Sequence, residues 1–105
     1  MVTVSFYSLT SDSKRILTVE GHAGFRKKGS DIVCSAVSVL VHTFISASRL
    51  VAGASLTVYD GGVLEVNVDK IDNVDAFSVI LETVAVGLED VSREYPQNVQ
   101  VHYIK

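Results

Sequence analysis

Residues 21–38, GHAGFRKKGSDIVCSAVS, decide how the rest of this 105-residue chain is read. The stretch holds the only cysteine, one of three histidines and three of seven glycines. It ends a strand-like pattern on one side and opens a helix-like pattern on the other. The helix is expected to start at Ser30 or Asp31 and to run to about Val51. With Asp31 as its N-cap, Cys34 is the third helical residue, and the Asp31 carboxylate is placed to accept the Cys34 backbone N–H. Unpaired N–H groups and the helix dipole favour negative charge at such a start, so a thiolate forms more easily there. His22 lies twelve residues earlier, at the end of the preceding strand, and a glycine-rich loop can fold it back toward the sulfur. A thiol beside a base makes a nucleophile. Cysteine is also among the most buried residue types and serves as a small hydrophobe, so spacing alone leaves both readings open.

Upstream of this stretch, residues 2–8 alternate Val2, Val4 and Phe6 with Thr3, Ser5 and Tyr7, the period of a strand with one buried face. A second strand over residues 15–21 follows the polar LTSDS turn, which predicts a hairpin. The helix from residue 31 is rich in Val, Ile and Thr, indifferent helix formers, so packing must stabilise it. Ile32, Ala36, Val39, Thr43 and Ala47 lie along one side, and Val33, Val37, Leu40, Phe44 and Val51 along another. Ser35, Ser38, His42 and Arg49 leave only a thin polar stripe. One sheet cannot cover both apolar sides, so the second helix or another subunit must do so. Two further strands, residues 56–59 and 63–69, flank Asp60-Gly61-Gly62, a hairpin signal. A second helix over residues 73–94 carries Phe77, Ile80, Leu81, Val84, Leu88 and Val91 on its core stripe. Tyr95-Pro96 stops it, and residues 99–104 form a last strand. The order ββα-ββα-β predicts a two-layer α+β fold, a largely antiparallel sheet with both helices on one face.

The composition predicts one folded domain over residues 1–105: 48% hydrophobic, 20% charged, and one proline. A net charge of −3 argues against direct nucleic-acid binding, which needs clustered Lys and Arg. A single cysteine forms no internal disulfide, which fits a reducing compartment. No segment offers about 18 uninterrupted apolar residues and the first residues lack a signal-peptide pattern, so the expectation is a cytoplasmic protein away from membranes. Other cysteine chemistries fail on spacing. A phosphatase-type loop needs Arg where Leu40 stands, a thioredoxin-like site needs a second cysteine, and structural zinc needs four ligands. No Walker loop or dinucleotide fingerprint is present, so no metal or cofactor is expected.

The pair GHAG and GSDIVCSAVS resembles the double signature of the ribosomal-processing cysteine proteases, a small bacterial family, and length, motif spacing and element order agree over essentially the whole chain. The resemblance implies His22 as general base and Cys34 as nucleophile, in a homodimeric α+β enzyme. Its substrate would be the N-terminal extension of a large-subunit ribosomal protein, the twenty-seventh of the L series, cut after an apolar, Phe-containing motif. Asp31 caps the helix, orients His22, or does both. Ser38, one turn beyond Cys34 on the same face, lines a substrate groove or belongs to a solvated stripe. Gly21, Gly24 and Gly29 let the loop hinge over a peptide or meet the backbone needs of turns. Arg26, Lys27 and Lys28 read as a solvated loop tip. His42 and His102 match no part of the signature and receive no role. The alternative is a non-enzymatic ribosome-assembly module gripping an anionic or peptide ligand with the glycine loop and helix N-terminus.

Overall fold

Alternation in the strands and a 3.6-residue apolar period in the helices give one shared core in the computed structural model, which describes residues 1–21 and 31–104. The elements are β1 (Val2–Tyr7), β2 (Arg15–Gly21), α1 (Asp31–Val51), β3 (Ser55–Asp60), β4 (Val63–Lys70), α2 (Val74–Glu94) and β5 (Val99–Ile104). The five strands form one sheet in the order β3-β4-β2-β1-β5. Every pairing is antiparallel except β1 with β5, which is parallel and brings Val2 opposite Val99 and Tyr7 opposite Ile104.

Register lines up a single apolar face. Val4 meets Val19 on one side and Val101 on the other, Leu17 meets Phe6 and Val66, and Leu56 meets Val68. Both helices pack on that face and on each other, with the Phe44 and Phe77 rings edge to face at 5.7 Å. The opposite face is polar and knitted by side chains. Arg15 pairs with Glu65 at 3.1 Å, Asn67 donates to Glu65 at 2.8 Å, and Thr57 donates to Asp69 at 2.7 Å. One irregularity serves both faces. Arg15 pairs with Asn67 and Leu17 with Val66, so Ile16 is an extra residue in β2. This bulge lets Ile16 and Leu17 both enter the core while Arg15 stays on the polar face.

The helix ends follow local chemistry. The Asn73 side chain caps α2 by accepting from Ala76 N–H at 3.0 Å, and Tyr95 ends it ahead of Pro96. At the β3–β4 turn Gly62 adopts φ +99°, open to glycine at no steric cost. α1 buries Val33, Val37, Val41, Phe44, Ile45 and Ser48. By length and composition residues Ile32–Val51 are apolar enough to cross a membrane, but this buried stripe ties the helix to the sheet and to α2. Val51, grouped with Phe44 on one apolar side of the helix, is 65% exposed as the last residue of α1. Glu89 of α2 is half-buried, and together with burial, the larger cause, it holds the Tyr103 phenol above its usual range.

Ser48 is fully buried, and its hydroxyl has no hydrogen-bond partner among the described residues. An unsatisfied buried hydroxyl costs its desolvation and returns nothing. Ser48→Ala is therefore expected to raise stability by about 1 kcal/mol in chemical denaturation, and a loss of stability would show that the hydroxyl is held after all.

Candidate active site

Cys34 is exposed and lies in the first turn of α1. Asp31, the first described residue of α1, is itself helical and so is not a cap preceding the helix. Reading Cys34 as a buried small hydrophobe fails on its exposure. The side chain of Asp31, and with it the expected cap to the Cys34 N–H, lies outside the described residues. So do His22, Gly24 and Gly29, and hence the expected approach of the imidazole to the sulfur and the expected hinge of the loop.

Cys34 opens onto a groove of about 220 Å³ between α1 and one end of the sheet. Val2, Val19 and Leu64 supply the sheet side, and Val37 and Val41 the helix side. Ser38, one turn on from Cys34, lines the groove as its position on the helix predicts. Gly21 lines it where β2 ends, next to His22 in sequence. The groove also holds His42, to which the sequence reading gave no role, and Asp60 at the end of β3. A signal for His42 was present. Cys34, Ser38 and His42 stand at i, i+4 and i+8, the spacing of one helical face. Asp60 had no such signal, since only the sheet register brings the β3 end to the helix. Among the described residues no group of His, Cys, Asp and Glu is placed to hold a metal ion.

An exposed thiol in a first helical turn, opening on a groove with apolar walls and a few polar groups, has the layout of a cysteine hydrolase acting on a chain-like substrate. The chain belongs to the cysteine protease Prp family, whose family model matches residues 1–100. Among its relatives, the ribosomal processing cysteine protease Prp of Staphylococcus aureus strain Mu50 is 26% identical over 105 residues, 98% of this chain and 99% of that one. Its Bacillus subtilis strain 168 counterpart is 30% identical over 99 residues, 87% of this chain and 88% of that one. In structure the chain is similar to the essential S. aureus ribosomal processing protease Prp crystallised with a covalently linked product peptide. That match has a TM-score of 0.81 at 26% identity and covers 98% of this chain and 99% of the other.

Gly21 adjoins His22 and is fixed by its backbone. It adopts φ +89°, and a Cβ there would overlap the Met1 carbonyl oxygen, which belongs to the backbone and cannot swing aside. Gly21→Ala should therefore cost about 1–2 kcal/mol in backbone strain alone, with the clash adding to it. Thermal denaturation checks this, and an unchanged midpoint would mean that β1 yields freely at this point.

Proposed function

We propose that this protein is a cysteine endopeptidase that removes the N-terminal extension of a large-subunit ribosomal protein, the twenty-seventh of the L series, during ribosome maturation in the cytoplasm. The observation that carries the reading is the exposed Cys34 thiol at the mouth of the α1 groove. The S. aureus relative with a covalently linked product peptide supports a peptide as the occupant.

In this reading His22 takes the Cys34 proton, and the thiolate attacks the scissile carbonyl. Backbone N–H groups of the first turn of α1 receive the developing oxyanion. The imidazolium then protonates the departing amine as the C–N bond breaks, leaving a thioester on Cys34. Water, deprotonated by His22, attacks that thioester and releases the new carboxylate and the free thiol. Asp31 orients His22, and Ser38 contacts the bound peptide. Gly21, Gly24 and Gly29 shape the loop that carries the base.

Cys34→Ala is expected to abolish cleavage of the ribosomal protein from the same genome, followed by mass spectrometry, with the fold intact. His22→Ala should lose about 10²-fold or more in turnover. His102→Ala supplies the control, since His102 is exposed on β5 opposite Ser5, away from the groove. Wild-type cleavage by a folded Cys34→Ala protein would overturn the assignment.

We also propose that the working form is a homodimer joined through the outer face of α1. Ile32, Val39 and Leu50 are 63%, 63% and 84% exposed on this one helix, more apolar surface than scattered single residues account for. A twofold pairing of that face buries it against its own copy. Sedimentation at micromolar concentration should give a species of twice the chain mass, and a lone 11.3 kDa species would overturn the dimer.

A further inference from the structure

A second groove, of about 270 Å³, opens between α2 and the last strand. Leu81, Glu82 and Ala85 line it from α2, Phe6 from β1, and Tyr103 and Ile104 from β5. It lies at the Tyr7 end of β1, whereas the Cys34 groove is at the Val2 end. Tyr103 is in register with Phe6 on the helix-facing side of the sheet, and the two rings stack at 5.4 Å. Tyr103 is still 56% exposed, so an aromatic floor faces solvent.

This groove borders a strand edge. β5 is the end strand of the sheet and pairs only with β1. Ser92 of α2 donates to the Val99 carbonyl at 2.9 Å, at the start of β5. From Gln100 to Ile104 no side chain among the described residues bonds to the β5 backbone. An open edge can accept a further strand through backbone hydrogen bonds, and a pocket beside it receives one of that strand's side chains.

Charge along α2 selects the occupant. Asp75, Glu82 and Glu89 stand at i, i+7 and i+14, on one face of the helix and about 10.5 Å apart along its axis. Glu82 lines the groove and Glu89 lies beside the Tyr103 phenol, so this acidic row runs next to β5. The whole helix carries five carboxylates and one guanidinium, and that one, Arg93, is paired with Asp90. A second copy joined edge to edge would set one acidic row against another, which is unfavourable. A protein that binds ribosomal RNA carries clustered Lys and Arg, the opposite sign.

We propose that the β5 edge and the Phe6–Tyr103 groove bind an extended basic segment of the ribosomal protein substrate, outside the extension that is removed. One apolar side chain of that segment fills the groove, and its Lys or Arg residues lie along the acidic row. This rests on the cysteine endopeptidase reading, and the experiment separates the two. Cleavage of the intact ribosomal protein from the same genome is compared by kcat/KM with cleavage of a short peptide spanning only the cut. The intact protein should be the better substrate by about tenfold. Glu82→Lys and Tyr103→Ala should each remove about fivefold of that advantage, with the peptide cut as before. Peptide cleavage on the same preparation exposes any loss of fold, which lowers both rates together. Equal kcat/KM for the two substrates, or an advantage that survives both substitutions, would overturn the β5 site and leave the endopeptidase reading standing. A change in sedimentation on Glu82→Lys would give the edge to a second copy and also overturn the site. A wild-type enzyme that cuts neither substrate would overturn the endopeptidase reading and the site with it.

Discussion

The rotation of α1 about its own axis is the constraint on which the rest depends. Val33, Val37 and Val41 form a buried ladder that fits the helix to the sheet, each under 5% exposed. Cys34, Ser38 and His42 follow each rung by one residue, about 100° around the helix. Packing the first ladder thus sets the second along the groove. Turning the helix by one residue would bury the sulfur and expose the valines. The hydrophobic energy of three side chains, about 1.5–3 kcal/mol each, therefore holds the position of the thiol, with no polar contact needed to aim it.

The sheet supplies the other side of the groove through the same kind of constraint. Val2, Val19 and Leu64 line it because β1, β2 and β4 are neighbours with matched register, and the Ile16 bulge lets β2 fill the core at its start while keeping that register to its end. The outer face of α1 is the complement of this arrangement. Once one stripe is committed to the sheet and α2, Ile32, Val39 and Leu50 have no cover among the described residues.

Most of the architecture was legible because it rests on short-range periodicity. The order ββα-ββα-β, the polar turn at LTSDS, the Asn73 start and Tyr95-Pro96 stop of α2 and the bounds of the last strand all follow from residues near one another in sequence. Features set by long-range pairing were not legible. The parallel β1–β5 pair, the strand order, the bulge at Ile16 and the buried hydroxyl of Ser48 depend on what each segment meets in space. The candidate site divides the same way. Cys34 and Ser38 are legible because one helix carries both, and His42 shares their helical spacing but lies outside the sequence signature that they belong to. Asp60 needed the register of β3 on β4 to reach the groove.

The parallel pairing of β1 with β5 also governs how the molecule is to be handled. Val2 enters the sheet at the groove, while β5 leaves it beside Tyr7, at the far end of the same strand. Five residues of extended chain separate these points by about 17 Å. A purification tag or surface anchor joined ahead of β1 starts on the rim of the groove and competes with a peptide for it. The same attachment placed after β5 leaves from the opposite end, so immobilised or tagged forms keep an open groove only when coupled on that side.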